Sequence, residues 1–272
     1  MPTDPASDDP DTDNRNPTRT KPASPVKTHA PHQPGALDIN NHHAPARAAT
    51  DAEVEQFIDR LKTLAPATKA GRGRLVFAMD ATMSREPTWD LALGLQADMF
   101  KAVKDVGGLD VQLVYFRGAG ECRASKWVSD PDALSRLMTT VNCVGGHTQI
   151  GRILTHVRNE TETQRVSAVV YVGDAMEEPI DAVCARAGEV GLIGVPIFLF
   201  QEGDDASATR AFREIARLTK GATCRFDAGS AQQLRELLTA VAVYAAGGRR
   251  ALEALSLSHD GGYARLLLQQ MK

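Results

Sequence analysis

The sequence lacks several features that mark common classes of protein. Its four cysteines contain no Cys-x-x-Cys or Cys-x-x-x-Cys pair, which argues against a zinc ribbon or a thioredoxin-type redox motif. The longest nearly apolar run, Val190 to Phe200, falls far short of the roughly 20 residues that a membrane span needs. With 31 Lys and Arg against 34 Asp and Glu, the chain also lacks overall positive charge. We therefore expect no membrane span and no nucleic-acid partner.

The beginning of the chain, MPTDPASDDPDTD, does not have the basic and then apolar pattern of a secretory signal. Without export, cysteines are expected to be free thiols that pack as small apolar side chains. The sequence therefore predicts a cytoplasmic protein without disulfides. The cysteines concerned are Cys122, Cys143, Cys184 and Cys224.

Composition changes sharply near residue 50. Residues 1–50 hold nine of the fourteen prolines and four of the seven histidines, and they contain no aromatic residue. Such a segment buries too little apolar surface to offset the entropy of ordering it, which predicts a disordered Pro-rich tail over 1–50. Its histidines could hold a metal loosely, although solvated side chains are the simpler interpretation. They are His29, His32, His42 and His43.

Residues 51–247 are predicted to form one α/β domain. A capping box at Thr50–Glu53 and helical spacing of apolar residues predict a helix over 51–64. Three short apolar runs are typical of parallel strands covered on both faces. They are 75–79, 166–173 and 195–200. Further strands are expected at 109–116, 122–128 and 223–226, and further helices at 87–105, 131–141, 149–159, 179–189, 207–219 and 230–246.

This alternation predicts a doubly wound, mostly parallel six-stranded sheet with helices on both faces. Right-handed crossovers give the strand order 3-2-1-4-5-6, with one antiparallel edge strand. The edge strand is 122–128, whose Arg123 and Lys126 suit a solvated edge. Residues 248–272 are predicted to be a helical extension. Because exposed leucine clusters favour aggregation, we expect its leucines to pack back onto the body of the domain.

Oxygen-bearing side chains follow the two strands that this order places side by side. The first strand ends on Asp80, with Thr82 and Ser84 just after it, and the fourth ends before Asp174. A glycine-rich loop, 145–151, adds Thr148. Ligands of such sheets bind beyond the carboxyl ends of the strands that flank the switch in strand order. Two carboxylates and three hydroxyls are donors that Mg²⁺ and Mn²⁺ prefer, so the pattern predicts a metal site there.

In these residues the chain resembles the von Willebrand factor type A (VWA) domain with its metal-ion-dependent adhesion site (MIDAS), of the bacterial intracellular type. That family carries Asp-x-Ser-x-Ser after its first strand, Thr-x-x-Gly in a Gly-rich loop, and Asp after its fourth strand. Asp80, Thr82 and Ser84 match the first element, Thr148 the second and Asp174 the third. The resemblance covers about residues 73–246. It implies a VWA/Rossmann-like fold and a Mg²⁺ or Mn²⁺ held by these five residues.

Two departures and several simpler interpretations accompany the resemblance. Thr82 stands where Ser is usual, and Ala175 follows Asp174 where Gly is frequent. Taken singly, Asp80, Thr82 and Thr148 could merely cap turns or helices. Three neighbours of the site also have two interpretations. His147 could reach the rim or be solvated, and Glu177 and Glu178 could line the rim or place charge at a helix N-terminus.

The resemblance implies a binding module rather than an enzyme. A partner protein would complete the metal shell with an Asp or Glu, and we expect no catalysis because no nucleophile and base are paired in the sequence. One alternative is a haloacid-dehalogenase-like phosphatase with Asp80 as nucleophile. Its later motif resembles Gly173–Glu178, but Thr82 replaces its acid. A VWA domain with a degenerate site in a structural role is the other alternative. No Gly-x-Gly-x-x-Gly turn follows a strand, which argues against dinucleotide binding.

Overall fold

The computed structural model describes residues 72–227, 230–259 and 261–271. The predicted tail over 1–50, with its four histidines, and the predicted helix over 51–64 lie outside these residues. The domain boundary proposed at residue 50 lies outside them as well. Within the described part, no helix is long and apolar enough to cross a membrane.

The sheet has six strands in the order β3-β2-β1-β4-β5-β6, as the sequence predicts. All neighbouring pairs are parallel except β2 with β3, which is antiparallel and forms one edge. The strands are β1 (Gly73–Asp80), β2 (Leu109–Arg117), β3 (Glu121–Ala124), β4 (Ala168–Gly173), β5 (Ile197–Glu202) and β6 (Ala222–Phe226).

Seven α-helices are present in the described part of the chain, and their bounds differ from the predicted ones by a few residues. The first ends at Ala102 because the amides of Gly107 and Gly108 donate to the Val103 carbonyl and turn the chain into β2. The helices are α1 (Glu86–Ala102), α2 (Pro131–Thr139), α3 (Ile150–Thr163), α4 (Ile180–Leu192), α5 (Ala206–Thr219), α6 (Ala231–Ser256) and α7 (Gly262–Gln270).

Helix α6 is not continuous. It consists of two helical segments that meet at Gly248, whose backbone is not helical (φ 69°, ψ −166°), so the glycine pair 247–248 ends the first segment as predicted and a second segment continues to Ser256. The glycine therefore kinks the helix at the predicted start of the extension. A residue with a side chain would be strained at this positive φ.

The central strands are buried on both faces, which explains why they are apolar at nearly every position. Alternate residues of β1 point to two separate hydrophobic cores. Leu75, Phe77 and Met79 pack with α1, α2, α6 and α7, whereas Val76 and Ala78 pack with α3, α4 and α5. The helices thus cover both faces of the sheet, as predicted.

The C-terminal extension packs on the first of these cores. Leu252, Leu267 and Met271 are buried there, which agrees with the expectation drawn from the leucine cluster. The Gln270 side chain also exchanges two 3.0 Å hydrogen bonds with the Thr223 backbone of β6. The extension therefore satisfies backbone groups of an edge strand that would otherwise be free to pair with another chain.

A histidine on α3 gives the fold a testable dependence on pH. Gln112 donates its amide to the Ser125 carbonyl, which leaves its oxygen 2.8 Å from Nε2 of His156. That nitrogen therefore carries a proton and donates to the Gln112 oxygen, in the neutral ring as in the charged one. Burial lowers the pKa of His156, and the nearby Glu160 opposes the shift only in part.

Because the pKa of His156 is lowered, the folded protein binds the second imidazole proton less tightly than the unfolded chain does. Stability is therefore lost as pH falls below about 6.5. The wild type should lose stability faster on acidification than His156→Gln, by at most about 1.4 kcal/mol per pH unit. Urea unfolding at pH 7.5 and 5.5 measures the difference. Equal slopes for the wild type and His156→Gln would contradict the prediction.

Candidate metal site

The two aspartates of the first and third motifs lie at one edge of the sheet. Strands β1 and β4 are parallel neighbours, with Met79 opposite Val172. Asp80 is the last residue of β1, and Asp174 follows directly on Gly173, the last residue of β4. The crossover topology therefore brings together two carboxylates that are 94 positions apart in the chain.

Asp80 is buried and carries a perturbed carboxyl group. One of its oxygens accepts a hydrogen bond from the Thr82 amide at 2.8 Å. Burial raises the pKa of Asp80 to about 6, and the charge of Asp174 adds to the shift, while bonds from Thr82 and the charge of Arg85 oppose it. Once the Asp80 carboxyl is ionised, a positive charge next to it is therefore favoured.

Thr82 and Ser84 of the first motif connect the two aspartates, Thr82 through its amide to Asp80. Thr82 Oγ1 lies 3.3 Å from Ser84 Oγ, and Ser84 Oγ donates to Asp174 Oδ2 at 3.3 Å. Asp80, Thr82, Ser84 and Asp174 consequently form one continuous chain of contacts. The structure brings these four predicted ligands together.

Thr148, the fifth predicted ligand, is buried and bonded to the loop that follows β4. Its hydroxyl accepts from the Glu177 amide at 3.0 Å, and its own amide donates to Glu177 Oε2 at 2.9 Å. Among the described residues, its hydrogen bonds thus go to Glu177 rather than to the other four. Thr148 does not cap α3, because Gln149 occupies the N-cap position.

The glycine-rich loop is packed against both neighbouring loops of the site. The Val144 amide donates to the Ala81 carbonyl at 3.0 Å, inside the first motif. A Cβ on Gly146 would lie 2.3 Å from the Gly118 carbonyl oxygen, so only glycine fits there. These contacts place the loop that carries Thr148 beside Asp80.

His147, Glu177 and Glu178, the three neighbours of the site, all make contacts that hold its loops. Glu178 accepts from the amides of Ile150 and Gly151, so its charge serves the N-terminus of α3 rather than that of its own helix. The exposed His147 lies with Nδ1 3.3 Å from Glu177, which also holds Thr148. Both acids therefore fix the Thr148 loop.

A buried ion pair beside the site was not predicted from the sequence. Arg85 Nε lies 3.3 Å from Asp174 Oδ2, and the same guanidinium forms an ion pair with Glu202, to which Thr88 also donates. Arg85 and Glu202 are both buried. The available signal was Glu202, a charged residue that ends the apolar strand β5. Because Glu202 offsets Arg85, the site keeps an excess of negative charge.

The donor set fits a hard divalent cation. No group of three or more His, Cys, Asp or Glu in the described ranges is placed to hold a metal, so the hydroxyls are essential to such a site. Two carboxylates balance the charge of one dication, and neutral hydroxyls complete its shell without further charge. Against this, the Arg85 guanidinium already supplies some positive charge to Asp174.

Comparison with known proteins gives matches in structure alone. No protein-family model and no curated protein sequence matches the chain. The open conformation of SpaC, a pilus adhesin of Lactobacillus rhamnosus GG, has a TM-score of 0.52 and 12% identity over 65% of this chain and 30% of its own. A variant of the PilB minor pilin of Streptococcus sanguinis has a TM-score of 0.52 and 10% identity, over 65% and 62%. The SpRpn10 VWA domain has a TM-score of 0.48 and 12% identity, over 65% and 98%.

The chain spans less than two thirds of the length of SpaC and of PilB, and identities this low concern the fold alone. The strand order and the single antiparallel edge strand are those that the sequence predicts. The three site motifs lie at the carboxyl edge of β1 and β4 and in the adjoining loop. With its sheet order and the placement of these loops, the chain has the fold of a von Willebrand factor type A domain.

Proposed function

We propose that the protein is a metal-dependent protein-binding module of the cytoplasm, like the bacterial intracellular members it resembles. Asp80, Thr82, Ser84, Thr148 and Asp174 would hold Mg²⁺ or Mn²⁺. When bound, the metal supplies a positive centre that attracts an Asp or Glu of the partner. The observation that carries the proposal is the continuous contact from Asp80 through Thr82 and Ser84 to Asp174. The four cysteines are free thiols, which suits a reducing compartment.

Exposed apolar side chains around these loops favour a protein as the partner. Met83 is 65% exposed, Val144 46% and Ile180 42%. They lie in the first motif, directly before the glycine-rich loop and at the start of α4. A polar site surrounded by solvent-exposed apolar side chains is typical of a surface that another protein covers. We call these three residues the apolar rim.

The contacts of Glu178 count against the phosphatase alternative. In that mechanism the acid of the later motif must be available to a metal, and here both of its oxygens accept amides from the first turn of α3. Asp80 has Thr82 two positions later, which cannot protonate a leaving group. We therefore propose no catalytic role.

One observation favours the alternative of a degenerate site with a structural role. The Arg85 guanidinium provides a fixed positive charge beside Asp174, and such a charge can hold the loops together without a metal. Metal titration distinguishes the two functions.

Mn²⁺ and Mg²⁺ titrated into the full chain should bind at one site. Asp80→Ala and Asp174→Ala should each abolish that binding, because each removes one of only two carboxylates that neutralise the cation. Calorimetry and Mn²⁺ relaxation measure it, and Asp105→Ala, at an exposed aspartate elsewhere, is the matched control. Absence of binding to the folded wild type would leave the structural role in its place.

Metal-free protein should be destabilised by the ionised Asp80. The pKa of Asp80 is raised to about 6 in the folded state, so the folded protein binds this proton more tightly than the unfolded chain does. The resulting stabilisation is present in acid and is lost as pH rises through about 6. In EDTA at pH 7.5, Asp80→Asn should be more stable than the wild type, by at most about 3 kcal/mol. Near pH 4 the difference should disappear. Thermal unfolding in EDTA at both pH values checks this, and a less stable Asp80→Asn at pH 7.5 would count against it.

The partner chemistry can be tested with a displayed library of random peptides. Peptides selected in Mg²⁺ should contain Asp or Glu next to apolar residues and should be released by EDTA. Asp174→Ala should select none of them, and Met83→Ser with Val144→Ser should weaken them about tenfold through loss of the apolar rim. Leu192→Ser is the control for exposed apolar surface away from the rim. Selected peptides that lack acids or persist in EDTA would refute the proposed function.

A further inference from the structure

A cavity of about 430 Å³ lies beside the Thr148 loop, between β3, α3 and α4. Arg123, Arg152 and Arg186 line it, each from a different one of these elements, and Thr155 and His156 add polar groups. None of the described residues that line it is acidic. Its three guanidiniums are permanently charged, so the cavity is a place of positive potential on a chain whose net charge is −3.

The acids nearest to this cavity do not cancel its charge. Glu121 pairs with Arg123, but it also accepts two hydrogen bonds from Arg117, which lies outside the cavity. Glu178 is near Arg186 and is engaged with the amides of α3. Glu160, the acid near His156, pairs with Arg74. The three guanidiniums that line the cavity therefore keep an excess of positive charge that is available to a ligand.

The arrangement suits an extended anionic segment better than a single small anion. Arg123 is 68% exposed, and Arg152 and Arg186 are exposed as well, so the donors line an accessible cleft rather than an enclosed cradle. The amides at the start of α3 are the usual binding place for a phosphate, and Glu178 already occupies them. Arginines spaced along a cleft match successive carboxylates of one chain.

The cavity and the metal site share structural elements. Arg152 lies four positions after Thr148, and it donates to the carbonyl of Gly120 in the turn after β2. Gly118 of the same turn touches Gly146 in the Thr148 loop. A segment that leaves the metal site along this turn would therefore pass directly into the cavity.

We propose that this cavity binds a carboxylate-rich segment of the partner protein, next to the acid that the metal holds. The inference rests on the proposed function for the identity of the partner, but not for the binding itself. Carboxylates pair with guanidiniums without a metal. The cavity thus adds a metal-independent, salt-sensitive contribution to the affinity and selects partners with several neighbouring acids.

The probe is a fluorescein-labelled peptide of ten glutamates, with its binding to the full chain followed by anisotropy at low ionic strength. In EDTA the wild type should bind it, and Arg123→Ala with Arg186→Ala should weaken binding at least about tenfold. Arg123→Ala alone should have a smaller effect in the same direction. Arg136→Ala with Arg210→Ala, which removes the same charge from exposed positions outside the cavity, should leave binding unchanged.

Failure of the cavity and failure of the metal site are measured separately. Because EDTA removes any metal from the site, peptide binding by the wild type in EDTA does not depend on the outcome of the metal titration. Absence of binding in EDTA, or equal loss in the cavity and control variants, would overturn the inference. Displacement of the peptide by inorganic phosphate, but not by chloride of equal ionic strength, would assign the cavity to a small phosphate-like anion and would overturn it as well.

Discussion

The parallel pairing of β1 with β4 is the constraint on which the rest of the structure depends. It places Asp80 and the residue before Asp174 at the same edge of the sheet. Both strands are buried on two faces, so their ends cannot shift without disturbing both hydrophobic cores. The carboxylates are therefore held close together by apolar packing rather than by any attraction between them. Two negative charges held in this way favour a cation between them.

Charged and polar contacts then connect the loops around that edge. Glu177 and Glu178 lie on the loop after β4, yet they bond to Thr148 and to the start of α3. Arg85 and Glu202 connect the first motif with the end of β5. Each of these contacts joins residues next to different strands or helices, so each loop is held in place by another. This is how five donors on three separate loops can belong to one preorganised site.

The sequence predicts the fold and the two aspartates because both follow from local patterns. Runs such as 166–173, apolar on both faces, belong in a parallel sheet, and the right-handed crossover sets their order. The bonds of Glu178 to α3 and the Arg85–Glu202 pair depend on which loops meet in space, which no spacing along the chain encodes. The path of the chain after the kink at Gly248 is likewise a tertiary matter, since Leu252 of the second helical segment is buried in the first core. The predictions for residues 1–64 stay predictions.

The arginines of this face divide into two groups by their surroundings. Arg85 is buried and forms ion pairs with Glu202 and Asp174, so its charge acts on the site from within. Arg123 and Arg186 are exposed, and their charge is directed to solvent and to whatever approaches. The interactions of a buried charge change little with salt concentration, whereas those of exposed charges are screened beyond about a Debye length. The metal-bound acid would thus fix where a partner docks, and the exposed arginines would determine which acidic partners are attracted to the surface.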